Sequence, residues 1–229
     1  MASGIATLFN SIANDYDKFN HILSLNIDKI WRKKSLVGHI DQSIDSVLDI
    51  ACGTGDFAIS LVKAGAHKVH GVDISEKMVE VGRQKINRMG LAQQIDLQIA
   101  DCAALPFPDN MFDAVTVAFG VRNFEHRTES LKEMYRVLNS GSELILLEFS
   151  KPQHSLIKHL YGFYFRHILP TVGGWISGDR APYEYLPRSV YAFPDVADFV
   201  AELQGAGWTD VRTKSFTFGI ATVYYGKKI

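Results

Sequence analysis

The stretch Val47-Leu48-Asp49-Ile50-Ala51-Cys52-Gly53-Thr54-Gly55-Asp56 passes from a short β-branched-rich run through two glycines into an amphipathic segment, residues 57–64. Glycine suits such a bend because it tolerates unusual backbone angles and lets a ligand come close to the main chain. A strand that breaks on glycines into a helix opens a βαβ crossover, and the following sequence keeps that rhythm. Residues 68–72 read as the next strand, and Ser75 with Glu76 starts a long helix to Met89 that Gly90 closes. Residues 95–100 and 112–119 are two more strands, and 128–138 is a helix before Gly141. Residues 143–149 form the most continuous apolar strand, suited to the middle of a sheet. Upstream, residues 5–40 carry apolar positions at helical spacing. The alternation breaks between Lys151 and Pro194, then resumes with a helix at 196–205 and two strands, 211–218 and 221–226. The tight turn at Gly219 makes that last pair antiparallel. The expected fold is doubly wound α/β: a seven-stranded, mostly parallel sheet with an antiparallel last strand and helical additions.

A chain of 229 residues fits one domain with an insertion. The expected parts are a helical cap at 1–45, a core at 46–150, an insertion at 151–195 and a closing helix and strands at 196–229. Hydrophobic residues at 47% allow a full core, and a formal net charge of -1 argues against nucleic acid as the main partner. The start, MASGIATLFNSIANDYD, has neither a basic nor an apolar leader segment, which predicts no secretion signal. No apolar run is long enough to predict a membrane-spanning helix. Two cysteines, Cys52 and Cys102, build no disulfide framework and lack metal-ligand spacing, so reduced, inert thiols in the cytoplasm and no metal are expected.

The glycine loop by itself fits two cofactors. Gly53-Thr54-Gly55-Asp56-Phe57-Ala58 matches a dinucleotide fingerprint, with Asp73 about 20 residues on for a ribose hydroxyl. Charge separates the two. A pyrophosphate on the helix N-terminus is repelled by carboxylates. Here Asp49 precedes the loop and Asp56 begins the helix, which favours a ligand carrying an ammonium and a sulfonium, S-adenosylmethionine. A helix-start role for Asp56 remains open beside this one. Asp73 ends the second strand at the rim where ligands of this fold class bind, and can accept both ribose hydroxyls. Asp101 and Cys102 end the third strand at the same rim. There a side-chain acceptor and a backbone N–H suit an adenine edge, although a turn-forming aspartate is the alternative. The expected cofactor-binding set is Asp49, Gly53, Thr54, Gly55, Asp73, Asp101 and Cys102.

Several strings carry a resemblance. They are the loop 49–56, Leu105-Pro106-Phe107-Pro108-Asp109-Asn110, Phe119-Gly120-Val121-Arg122-Asn123, Met134-Tyr135-Arg136-Val137-Leu138 and Leu147-Glu148-Phe149-Ser150-Lys151-Pro152. Ile176-Ser177-Gly178-Asp179-Arg180 and Tyr185-Leu186-Pro187 continue it. Together they resemble the class I methyltransferases of quinone biosynthesis, the demethylmenaquinone / 2-methoxy-6-polyprenyl-benzoquinol methyltransferase family. The resemblance implies a Rossmann-like fold and C-methylation of a reduced, polyprenylated quinone, with S-adenosylhomocysteine as the other product. It implies contacts to the methyl donor at Thr54, Asp73 and the pair Asp101-Cys102. Two departures stand out: Asp-Cys replaces the Asn-Ala or Asp-Ala of many members, and Ala118 stands where some have a contacting serine.

A ring carbon becomes a strong nucleophile when a neighbouring phenol loses its proton, so a cation or donor at the developing phenolate lowers the barrier. Arg122 and Asn123, just past the fourth strand, are the expected catalytic pair, with Arg122 acting electrostatically because it stays protonated. An Arg122 bridge to Glu125 or Glu148 is the competing reading, and His126 reads as a surface residue. The aromatic-rich segment 156–175, with the N-terminal helices, is expected to wall an isoprenoid tail and to rest transiently on the inner face of the plasma membrane. A buried helix or a homodimer face is its alternative. The expected function is conversion of demethylmenaquinol to menaquinol; its alternatives are methylation of the ubiquinone-pathway benzoquinol, a NAD(P)-dependent oxidoreductase on a similar fold, a non-catalytic S-adenosylmethionine-binding regulator and a methyltransferase acting on another small molecule.

Overall fold

The structure, a computed structural model, describes residues 4–13, 16–17, 21, 24, 26–152, 154–164 and 181–229. Seven strands form one sheet in the order β3-β2-β1-β4-β5-β7-β6. They are β1 (Ser46–Ile50), β2 (Lys68–Asp73), β3 (Ile95–Ile99), β4 (Phe112–Ala118), β5 (Leu138–Phe149), β6 (Thr209–Phe216) and β7 (Ala221–Lys227). The first five pair in parallel, while β7 runs antiparallel between β5 and β6. Strand order reverses between β1 and β4. The loops leaving those two strands diverge there, opening a crevice at the carboxyl rim.

Helices cover both faces. In chain order they are α1 (Gly4–Ile12), α2 (Ile27–Leu36), α3 (Asp56–Ala64), α4 (Glu76–Arg88), α5 (Arg127–Val137), α6 (Ser155–Phe163), α7 (Ala181–Ala192) and α8 (Val196–Gly205). Side chains alternate across a strand, so Val47 faces one layer and Leu48 the other. Val47, Val69 and Leu97 pack with Trp31, Leu36, Phe57, Leu61 and Ile86. Leu48, Ile50 and Val117 pack with Leu131, Met134, Phe199 and Trp208.

The predicted α/β order and the antiparallel last strand are both present. Three local differences have physical causes. β5 starts earlier than its apolar run, at Leu138, and its pairing with β4 shifts register between Phe112 and Ala114. Gly141, with φ +83°, permits the bend at that point. The last pair turns through a short 3-10 segment, Thr217–Gly219. Finally, α7 lies where the sequence rhythm breaks, and it contains Pro187. Of the aromatic segment 156–175, residues 165–175 lie outside the described residues, as does Gly178-Asp179-Arg180. Among the described residues no helix is long and apolar enough to cross a membrane.

Candidate active site

A cavity opens at the crevice between β1 and β4. Gly53, Asp73, Asp101, Cys102 and Asn123 line it, joined by Ile5, Phe9 and Tyr16 from the N-terminal cap. Gly53 has φ +55°, and the nearest atom to a Cβ placed there is Tyr16 Cε1 at 4.0 Å. The loop backbone therefore presents an open cradle to a ligand. At Gly120 the space is closed: a Cβ would lie 2.5 Å from that of Ala51, so glycine lets the β4 rim close against the loop.

Asp73 is held by its neighbours. Its Oδ2 accepts the Gly53 N–H at 2.8 Å and its Oδ1 accepts the Ser75 N–H at 2.8 Å. Burial raises its pKa against these hydrogen bonds. Each oxygen keeps a lone pair, which suits a pair of vicinal hydroxyls. Ser75 caps α4 itself by accepting the Met78 N–H at 3.2 Å, so the cap does not consume Asp73. Asp101 is exposed and accepts the Ala103 N–H at 2.9 Å, a turn contact that occupies one oxygen. Cys102 Sγ lies 3.2 Å from Ser130 Oγ, and burial pushes its thiol up to about 11. Burial also raises Cys52, so both thiols stay protonated.

Asp49, Thr54 and Gly55 are not among the described residues lining the cavity. Asp49 is fully buried and accepts the Thr116 hydroxyl at 2.9 Å, while its other oxygen has no partner among the described residues. Burial lifts its pKa to about 7. Thr54 gives its hydroxyl to Asp17 and accepts from Lys85 Nζ at 3.1 Å. Asp56 starts α3 and binds Lys85 at 2.7 Å and His21 at 3.2 Å. Burial works against its charge, but Lys85, Arg32 and His21 outweigh it and hold the carboxyl below its usual range. Asp56 thus spends its charge on the cap and Asp49 sits behind the loop, so neither is among the described residues lining the cavity. His21, Asp28 and Asp56 are metal-ligand types brought together. Arg32, which binds Asp28, and Lys85 already supply positive charge there.

Past β4, the short turn Val121–Asn123 carries the two expected catalytic residues, and Arg122, unlike Asn123, is not among the described residues lining the cavity. Asn123 lines the cavity and its Oδ1 accepts the Tyr185 hydroxyl at 2.7 Å. The Arg122 side chain is 6% exposed and bridges to Glu148, 0% exposed, at 2.8 Å. The Arg122 backbone N–H reaches the other Glu148 oxygen at 3.2 Å, and the side chain also binds Ser189 Oγ at 3.3 Å and the Phe119 carbonyl. Its guanidinium lies 5.3 Å from the Phe149 ring centre. The bridge to Glu148 thus coexists with a location beside Asn123. In the sequence Tyr185 has no role beyond its place in a resembling string and Ser189 is not singled out, because their partners lie more than 60 residues away; His126, expected at the surface, lines the cavity with Glu125.

Comparison with known proteins bears on this arrangement. The model of the ubiE/COQ5 methyltransferase family matches residues 2–228. The chain is 43% identical over 226 residues to a ubiquinone/menaquinone biosynthesis C-methyltransferase UbiE of Geotalea daltonii, covering 98% of this chain and 96% of that one. It is 40% identical over 225 residues to a demethylmenaquinone methyltransferase of Bacteroides fragilis, covering 98% and 92%. Among solved structures, a SAM-dependent methyltransferase from Aquifex aeolicus has a TM-score of 0.62 at 20% identity, covering 86% and 89% of the two chains. The [4+2]-cyclase SpnF reaches 0.71 at 15% identity, covering 100% and 97%. Those distant likenesses speak to the fold alone, since one fold hosts many chemistries. The full-length family match and the two relatives carry more: this chain belongs to the ubiE/COQ5 methyltransferase family, enzymes that use S-adenosylmethionine as methyl donor.

Proposed function

We propose that this enzyme methylates a ring carbon of a reduced, polyprenylated quinone, with demethylmenaquinol as acceptor. The names of its relatives support the substrate class. The observation that carries the reading is that Asn123, next to Arg122, walls the same cavity as Gly53 and Asp73. Gly53, Asp73, Asp101 and the Cys102 backbone would hold the methyl donor, whose contribution is a sulfonium methyl group open to in-line attack. The nearby Ile74 and Met78 give an apolar surface for an adenine ring. Thr54 and Gly55 shape the loop, and Asp49 supports it from behind.

Arg122 and Asn123 face the acceptor in this reading. Arg122 cannot act as a base, because a guanidinium stays protonated. Among the described residues its Nη2 has no protein partner, while Glu148 and Phe119 fix its Nη1. That edge can stabilise phenolate charge while a water takes the proton. The new C–C bond then forms as the S–CH3 bond breaks, and the ring carbon gives up its hydrogen to water while the oxygen regains a proton, restoring the aromatic quinol. The cap and the insertion cover the acceptor and its tail, which the enzyme collects from the cytoplasmic membrane surface. A turnover assay on reduced demethylnaphthoquinol and on the benzoquinol precursor tests the proposal: methylated naphthoquinol is the expected product. Methylation of the benzoquinol alone would move the enzyme to the ubiquinone branch. Calorimetry with S-adenosylmethionine against NAD is the accompanying control, with heat expected only from the former.

A further inference from the structure

We propose that the Thr217–Gly219 turn and the outer face of α2 form a docking surface for a membrane containing anionic lipid. This rests on the lipid-tailed substrate proposed above. Phe218 is 76% exposed, and its φ of 59° places a bulky residue in the left-handed region. Neither burial nor backbone preference accounts for phenylalanine there. The turn itself is braced. Trp31 Nε1 donates to Thr217 Oγ1 at 2.9 Å, and the Ser150 hydroxyl donates to the Gly219 carbonyl at 2.8 Å. The aromatic ring is thus held outward on a fixed base.

The helix that braces the turn through Trp31 carries positive charge on its outer face. On α2, Asp28, Trp31, Arg32, Ser35 and Leu36 are buried, while Lys29, Ile30, Lys33 and Lys34 are exposed. The one acid of that helix, Asp28, is buried and bound to Arg32. Lys214 of β6 adds a fourth cation on the same side of the sheet. Its Nζ lies 5.9 Å from the Phe216 ring centre, and Phe216 belongs to the apolar cluster that holds Trp31. Among the described residues none of these four lysines has an acidic partner within 4.0 Å, although the whole chain has a net charge of -1. Four lysines thus stand on the side of the sheet where Trp31 meets the turn, and that side also carries two exposed apolar side chains, Ile30 and Phe218. Exposed apolar side chains on the same side of the molecule as ammonium groups match an acyl boundary beneath anionic headgroups.

Ala221, just past the turn, pairs with Phe149 at the carboxyl end of β5. The turn consequently stands at the same rim as the cavity, where a tail still seated in lipid would enter.

The test is flotation of the full chain with phosphatidylcholine vesicles and with equimolar phosphatidylcholine–phosphatidylglycerol vesicles. The wild type should float with the anionic vesicles only, and less so as salt is raised. Lys33→Gln/Lys34→Gln should weaken that binding on the order of thirtyfold, at roughly 1 kcal/mol per lysine. Phe218→Asn, which keeps a residue tolerant of positive φ, should weaken it as well. Turnover on a short-tailed, water-soluble quinol should be unchanged in both variants, which separates docking from the catalytic reading. Equal flotation of wild type and variants, or of the wild type with both vesicle types, would overturn the proposal. So would a change in oligomeric state in Phe218→Asn with vesicle binding intact, because the face would then be a protein contact.

Discussion

Asp49 is a carboxyl group enclosed by β1 and β4, with Thr116 as its hydrogen-bond donor and Asp73 as a nearby negative charge. Enclosure raises its pKa from 3.8 to about 7. In this window the folded protein holds a proton that the unfolded chain has released. Stability therefore falls as pH rises from about 4 to about 7, by about 1.4 kcal/mol per pH unit for one group, and then levels off. Asp49→Asn removes that proton linkage. Denaturant melts between pH 5 and 8 should show a shallower decline in the variant, with the variant at least as stable at pH 8. An identical slope in both proteins would mean that the carboxyl ionises freely. Arg122 and Glu148 pose a different problem, because removing one member strands a buried charge. Glu148→Gln keeps the shape but strands the guanidinium, so it should cost about 3–5 kcal/mol of stability and lower kcat about 10- to 100-fold with little change in donor affinity. Arg122→Ala should lose most turnover, about 100- to 1000-fold, with donor affinity retained. Single-turnover assays paired with calorimetry check both, and unchanged kcat in Arg122→Ala would remove it from the chemistry. Gly53, Asp73, Asp101 and Cys102 were legible as rim residues because strand ends place them there. The seclusion of Asp49 and Thr54 was not legible, because Thr116 and Asp17 lie 67 and 37 residues away and only the folded sheet and cap bring them close.

At the level of elements, Lys85 on α4 joins the cap to the glycine loop. It binds Asp17 at 2.6 Å, Asp56 at 2.7 Å and Thr54 at 3.1 Å, while His21 reaches Asp56 from the cap. The cation and its two acids are only 18–28% exposed, so water screens these contacts less than it would on an open surface. Lys85→Ala leaves two carboxylates facing each other beside Thr54. The cap should then open more often, weakening donor binding about tenfold and speeding proteolysis within the first 26 residues. Lys85→Arg should restore most of both, and equal cleavage of all three proteins would show that the cap is held elsewhere. The strands and the helices between them were readable because their apolar periods are clean. The helix α7 was not, because Pro187 removes a backbone donor and biases the residue before it away from helix, the ordinary sign of an ending. Its place is set by tertiary contacts: Tyr185 to Asn123, Ser189 to Arg122, and Val190 packed with Tyr161.

Across the whole molecule, the cavity is walled by segments running from Ile5 in the cap to Ser130 on α5. A ligand seated there contacts the ends of β1, β2, β3 and β4 together with the cap, so it must bind the folded state alone. By mass action, S-adenosylhomocysteine at about 100 times its Kd should add about 2.7 kcal/mol to stability. A chain of 229 residues converts each kcal/mol into about 2–4 °C, so the midpoint should rise by about 5–10 °C. NADH at equal concentration should leave it unmoved, because two phosphates would have to settle beside Asp73 and the loop carboxylates. Asp73 faces the ligand directly, whereas Asp49 and Asp56 act only through the field around the loop. Asp73→Ala should abolish most of the S-adenosylhomocysteine shift, since it takes away the ribose acceptor and frees the Gly53 and Ser75 amides together. Asp101→Ala should reduce the shift by less, because Asp101 is exposed and half committed to its turn. Equal shifts from NADH and S-adenosylhomocysteine would mean that the glycine loop recognises adenosine without regard to charge, and the assignment of the donor would then rest on the family alone.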